Sequence, residues 1–242
     1  ILIALKMSFG FKNIVNDEGN DSLKLRDIAS QMKMIFKSNR SKSIFLFAFV
    51  FMGIVTVFGN LYKLILMELD IKTQYITMIV CIFTVLIGVG AKSLYYIEKQ
   101  TRNRTLTIFG ILFVIGMLII GLCGAINELT ITSLSVVIGC LCIMGLIQGA
   151  YRVAIKKYVL SFTTTSVRTK ITSVYYMFEN IGASITSFII GFLLDFTTAS
   201  RACIVFSCIS FVIILLVLTY MKEKLGLKPE QYAPKEIYNK KI

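Results

Sequence analysis

The chain is 242 residues long, carries 26 Lys and Arg against 13 Asp and Glu, and has no histidine. Apolar residues make up 56% of it and mean hydropathy is +0.79, which excludes an ordinary water-soluble domain, since one would alternate polar and apolar faces throughout. The missing histidine argues against a metal or redox site, and the net charge of +13 needs no nucleic acid, because it is spread along the chain rather than gathered on one folded face.

In chain order, residues 1–11 (ILIALKMSFGF) are apolar but too short to cross a bilayer. They lack the basic start and small-residue cleavage site of a signal peptide. They read as the last turns of an earlier membrane helix, so the chain itself reads as a fragment. Residues 12–43 form a polar, basic linker in which Leu25, Ile28, Met32 and Ile35 step by 3, 4 and 3. That spacing predicts an amphipathic helix on the membrane or bundle surface.

Six apolar runs follow, at residues 44–67, 75–97, 105–124, 130–150, 171–194 and 201–221. Each supplies the roughly 20 residues that a helix needs to cross a ~30 Å hydrocarbon core. The expected fold is an all-α, six-helix transmembrane bundle over residues 44–221, with a cytoplasmic tail at 222–242. In the first span Gly53, Thr56, Asn60 and Lys63 form one polar stripe. The fourth carries Ser135, Gly139, Cys142, Gly145 and Gly149, with Gln148 at its inner end, and Gly145 to Gly149 is a GxxxG packing motif. Residues 151–162 look like a second surface helix. The fifth span has the stripe Ser173, Tyr176, Asn180, Ser184, Ser187, Gly191 and Asp195, with Glu179 beside Asn180. Glu179 lies about two turns into its helix, where a carboxylate is costly, and is a candidate proton carrier. The third and sixth spans are apolar on all sides and should face lipid. Two interior helices plus one peripheral helix, repeated, is the arrangement of an inverted three-plus-three repeat.

Of the 26 basic residues, 23 lie before the first span, in the second and fourth connections or in the tail, whereas Lys63, Lys72 and Arg201 fall on the opposite side. By the positive-inside rule both termini are cytoplasmic, and the basic rim meets anionic lipid. All six cysteines lie in spans, so no disulfide is expected, and the sequons at Asn20, Asn39 and Asn103 fall on the cytoplasmic side. Both prolines, Pro229 and Pro234, are in the tail. Bending inside the spans is therefore left to glycine.

Residues 151–195 (YRVAIKKYVLSFTTTSVRTKITSVYYMFENIGASITSFIIGFLLD) resemble the tenth-to-eleventh helix connection and eleventh helix of bacterial major facilitator superfamily transporters. Residues 59–76 (GNLYKLILMELDIKTQYI) are similar to the end of that family's seventh helix and the start of its eighth. Glu98, Lys99, Arg102 and Arg104 resemble its cytoplasmic loop motif, with Thr101 standing at the glycine position and Asn103 at a basic one. The likeness covers residues 1–225 and implies the C-terminal half of a transporter in the cell membrane, with a six-helix N-terminal half missing. It further implies a small-molecule substrate moved by alternating access and no cofactor. Carried onto this chain, it puts Thr56, Asn60 and Lys63 in the outer part of the cavity and Gln148, Tyr176, Glu179 and Asn180 in the inner part.

Two other classes remain open. The membrane subunit of an ATP-driven transporter would need a separate ATPase, because Gly90-Ala91-Lys92-Ser93 lacks the earlier glycine of a phosphate-binding loop. A non-transporting scaffold is also compatible with six spans. An enzyme is not expected: it would need a His-based metal site, a paired aspartate or an activated serine, and the spans hold no His and no facing Asp pair.

Overall fold

The computed structural model describes residues 39–101, 105–126, 131–161 and 168–221. The basic linker with its amphipathic stretch, the tail, Arg102 and Arg104 lie outside the described residues. The described residues form six helices: α1 (Asn39–Glu68), α2 (Thr73–Thr101), α3 (Thr105–Ala125), α4 (Ile131–Ser161), α5 (Arg168–Leu194) and α6 (Ala199–Met221). All six are long and apolar enough to cross a membrane, and no strand occurs among the described residues. The expected all-α six-helix bundle is the fold observed.

Residues 151–161 do not form a separate surface helix. They continue α4 without a break, because no Gly or Pro interrupts the stretch and Tyr151, Ala154, Ile155 and Val159 keep a helical stripe that is buried in the bundle. The turn after α1 closes as a Schellman motif, with Ile71 N–H donating to the Leu66 carbonyl at 3.2 Å and Asp70 N–H to Met67 at 3.0 Å. Asp70 supplies the left-handed residue, at φ 52°, where glycine is the usual choice.

The most extensive helix contacts are α2 with α4, α1 with α5 and α3 with α6, followed by α1 with α6 and α3 with α4. Exchanging α1 with α4, α2 with α5 and α3 with α6 maps this set onto itself. That is the packing an inverted repeat produces. One contact departs from it: α1 touches α3, with no equivalent contact of that size between α4 and α6.

The two equivalent pairs close by the same device. A Cβ on Gly90 or Gly149 would overlap main-chain atoms of Leu146 or Ile87 across the α2–α4 crossing, and one on Gly182 would overlap the Phe49 carbonyl across α1–α5. Between lipid-bathed helices there is little hydrophobic drive to associate. Close backbone approach through small residues supplies van der Waals contact instead.

The core is aromatic and centred on α1, the most buried helix. Rings of Phe51 and Tyr151 stand 4.2 Å apart. From Phe51 the contacts pass to Phe113, Phe58, Tyr62 and Phe83, each step 5.3–5.5 Å between centroids. This column joins α1, α2, α3 and α4 in one unit. The third and sixth spans, expected to face lipid, pack against each other as α3 and α6. Each buries one face against the other and against α1 or α4, through Phe113, Met117 and Ile120 on α3 and Cys203, Phe206 and Ile214 on α6, and exposes only the opposite face. The least buried helices are α2 and α5.

Candidate solute path

The contacts arrange the helices in an open arc, α2–α4–α3–α6–α1–α5, in which α2 and α5 make no substantial contact with each other. The chain thus has a closed back formed by α3 and α6 and an open side flanked by α2 and α5. Exposed side chains on the two flanking helices include Tyr75, Met78, Val85, Tyr95 and Tyr96 of α2 and Tyr176, Phe188 and Phe192 of α5.

The α5 stripe read from the sequence lies on that exposed surface. Ser173, Tyr176, Asn180 and Ser184, with Met177, Ile181 and Ile185, line a shallow groove of about 660 Å³. Tyr176 is 43% exposed, and from α4 the Lys156 ammonium lies over its ring at 5.5 Å from the centroid. On α1, Gly53 is buried against Thr186 and Gly182 of α5, Thr56 and Lys63 are half-buried, and Asn60 is exposed. Lys63 Nζ lies 5.8 Å from the Tyr62 ring centroid, so the cation is held beside its own helix. The α1 stripe therefore begins in the α1–α5 crossing and emerges at the open side.

Gln148 and Glu179 differ from the others, since they are 8% and 7% exposed. Glu179 accepts a hydrogen bond from the Tyr175 hydroxyl one turn earlier on α5. The charges of Arg152 and Lys156 act on it from α4. Tyr175, the buried partner of Glu179, and the buried Tyr151 of α4 are residues that the sequence stripes missed. The signal was available: Gln148, Tyr151 and Ile155 continue one face of α4, while Tyr175 sits four residues before Glu179.

At the end that holds the loop motif, Lys157 of α4 donates to Glu98 of α2 at 2.7 Å. Thr101, at the position where the motif has glycine, donates to the Ile97 carbonyl at 2.7 Å and lies 2.6 Å from the Thr105 hydroxyl, joining α2 to α3. Glu98 is thus tied to α4, and Lys99 is exposed. At the other end Glu68 of α1 accepts from the main-chain N–H of Ala199 at 2.5 Å and of Ser200 at 3.0 Å, and from the Ser200 hydroxyl at 2.7 Å. This was not foreseen. It caps the start of α6 with a carboxylate from another helix. Among the described residues no cluster of three or more His, Cys, Asp or Glu could hold a metal.

The model of the Major Facilitator Superfamily matches residues 44–237, which take in all but the first few residues of the helical bundle. The chain belongs to the major facilitator superfamily. No curated protein and no solved structure matches it. As a member of this superfamily the protein is a multi-pass membrane protein of a transporter family, and membrane transport of small molecules is its coarse function.

Proposed function

We propose that this major facilitator chain is one six-helix half of a secondary transporter that moves a small solute by alternating access. In this reading the membrane domain is residues 44–221, preceded by a cytoplasmic linker and followed by a cytoplasmic tail, and it sits in the cell membrane with both ends in the cytoplasm. The observation that carries it is the open arc: α3 and α6 close the back, while α2 and α5 present a partly polar, uncovered side that a second six-helix half would complete. Thr56, Asn60 and Lys63 then contribute to the outer part of a path, and Gln148, Tyr176, Glu179 and Asn180 to its inner part. Polar side chains facing such a cavity avoid the cost of meeting hydrocarbon. The Glu98–Lys157 pair and Lys99 belong to the cytoplasmic rim, with Arg102 and Arg104 beyond them.

The test places single cysteines at Asn60 and at Asn180 in a cysteine-free background of the intact protein in sided membrane vesicles. A membrane-impermeant maleimide should reach the first from the external face and the second from the cytoplasmic face, with a transported solute slowing both. Labelling of both from one face only, or only by a lipid-soluble reagent, would overturn the reading.

A further inference from the structure

We propose that the solute taken by the groove on α5 is a small organic anion with an apolar body, its negative group received by Lys156 and Arg152 of α4 at the inner mouth. This rests on the transport reading above and gives that path a substrate class.

The groove is built from two rows. Tyr176, Asn180 and Ser184 step by four along α5, and Met177, Ile181 and Ile185 run beside them one residue on, all exposed, so a polar row and an apolar row share one open surface. Within the span Thr172–Leu194 they extend from near the helix start to about its middle. A face meeting only hydrocarbon gains nothing from an amide and a hydroxyl. Its volume of about 660 Å³ falls within the roughly 300–1,000 Å³ of small-molecule sites. Such a surface suits a solute with hydrogen-bonding groups on one edge and carbon on the other.

Charge then decides the class. The Lys156 ammonium stands 5.5 Å from the centre of the Tyr176 ring and so overhangs the first residue of the polar row from α4. Arg152 lies four residues earlier, on the same exposed side of α4. An ammonium over a ring uses the negative ring face on one side and keeps N–H donors for a ligand on the other. The neighbouring Lys157 is taken up by Glu98 at 2.7 Å, whereas no carboxylate among the described residues pairs with Lys156 or Arg152. Glu179 attracts both cations, but it is buried, accepts from Tyr175 and does not line the groove. Even fully ionised, it cancels only one of the two charges and leaves the solute's place open. The other acids of the described residues, Glu68, Asp70, Glu98 and Asp195, stand at or near helix ends. On the outer stripe Lys63 repeats the device, with its ammonium 5.8 Å from the Tyr62 ring centroid. A cationic mouth between low-dielectric walls concentrates anions and repels cations.

The experiment uses the full chain, cysteine-free except for a cysteine at Ser184, in lipid vesicles at one pH. Labelling by an impermeant maleimide is timed with benzoate, hexanoate or phenyl phosphate, with benzamide, hexanamide or benzylamine, and with inorganic phosphate. The organic anions should slow labelling, and the amides, the amine and inorganic phosphate should not. Lys156→Gln should raise the half-protecting benzoate concentration about tenfold, the size of a lost charge-assisted hydrogen bond. Lys156→Arg should stay near the parent, and Lys72→Gln, which removes the same charge at the opposite end, should match it. Amides or inorganic phosphate protecting as well as the organic anions, or protection undiminished in Lys156→Gln, overturns the proposal. The comparison of acid with amide is made in the parent chain and depends on no variant folding. A Ser184 cysteine that labels from water without discriminating among the probes removes this proposal and leaves the transport reading intact. One reached only by a lipid-soluble reagent removes the transport reading, and the substrate class with it.

Discussion

Glu68 sits at the far end of α1 and satisfies three donors at the start of α6. The first N–H groups of a helix have no partners inside it, and a carboxylate there gains both hydrogen bonds and the favourable end of the helix dipole. Loss of a cap costs about 1–2 kcal/mol. Glu68→Ala should therefore lower the midpoint of thermal unfolding in detergent, with Glu68→Gln intermediate because its amide oxygen still accepts. Equal midpoints for all three proteins would show that the cap contributes nothing.

Helix pairing depends on where a glycine stands. At Gly149 a Cβ would strike the Ile87 carbonyl and the Ala91 nitrogen, which are main-chain atoms that cannot rotate away, whereas at Gly139, on the same helix, a Cβ meets nothing. Overpacking costs typically about 1–3 kcal/mol. Replacing an unconstrained helical glycine with alanine gains up to about 1 kcal/mol. Gly149→Ala is thus expected to destabilise the bundle and Gly139→Ala to leave it unchanged or slightly firmer, as judged by resistance to denaturant in detergent. The reverse order would mean that the α2–α4 crossing is not set by backbone approach.

Across the whole molecule, charge and shape make separate demands. In the sequence, 23 of the 26 basic residues fall before the first span, in the second and fourth connections or in the tail, and the helices that flank the uncovered side, α2 and α5, carry exposed aromatic residues. If the positive-inside rule orients the chain, a cysteine at Lys72 should be tagged in intact cells by an impermeant reagent. One at Gln100 should be tagged only after permeabilisation. Labelling at position 100 in intact cells would invert the topology and with it the inner and outer assignments of Thr56, Asn60, Lys63, Gln148, Tyr176, Glu179 and Asn180.

Six spans and their approximate limits follow from the sequence alone, because an apolar run of about 20 residues has no alternative home in water and must satisfy its backbone as a helix in lipid. The family was legible as well, through residues 59–76 and 151–195. Which faces those helices bury was not, since a helix apolar all round, such as α3 or α6, carries no stripe to say which side meets protein and which meets lipid. Nor could periodicity along one helix reveal that Tyr151 and Arg152 of α4 stand opposite Glu179 of α5, or that Glu68 reaches Ser200. Those juxtapositions join residues from 27 to 132 positions apart. They arise only when the helices pack against one another, so the tertiary structure decided them.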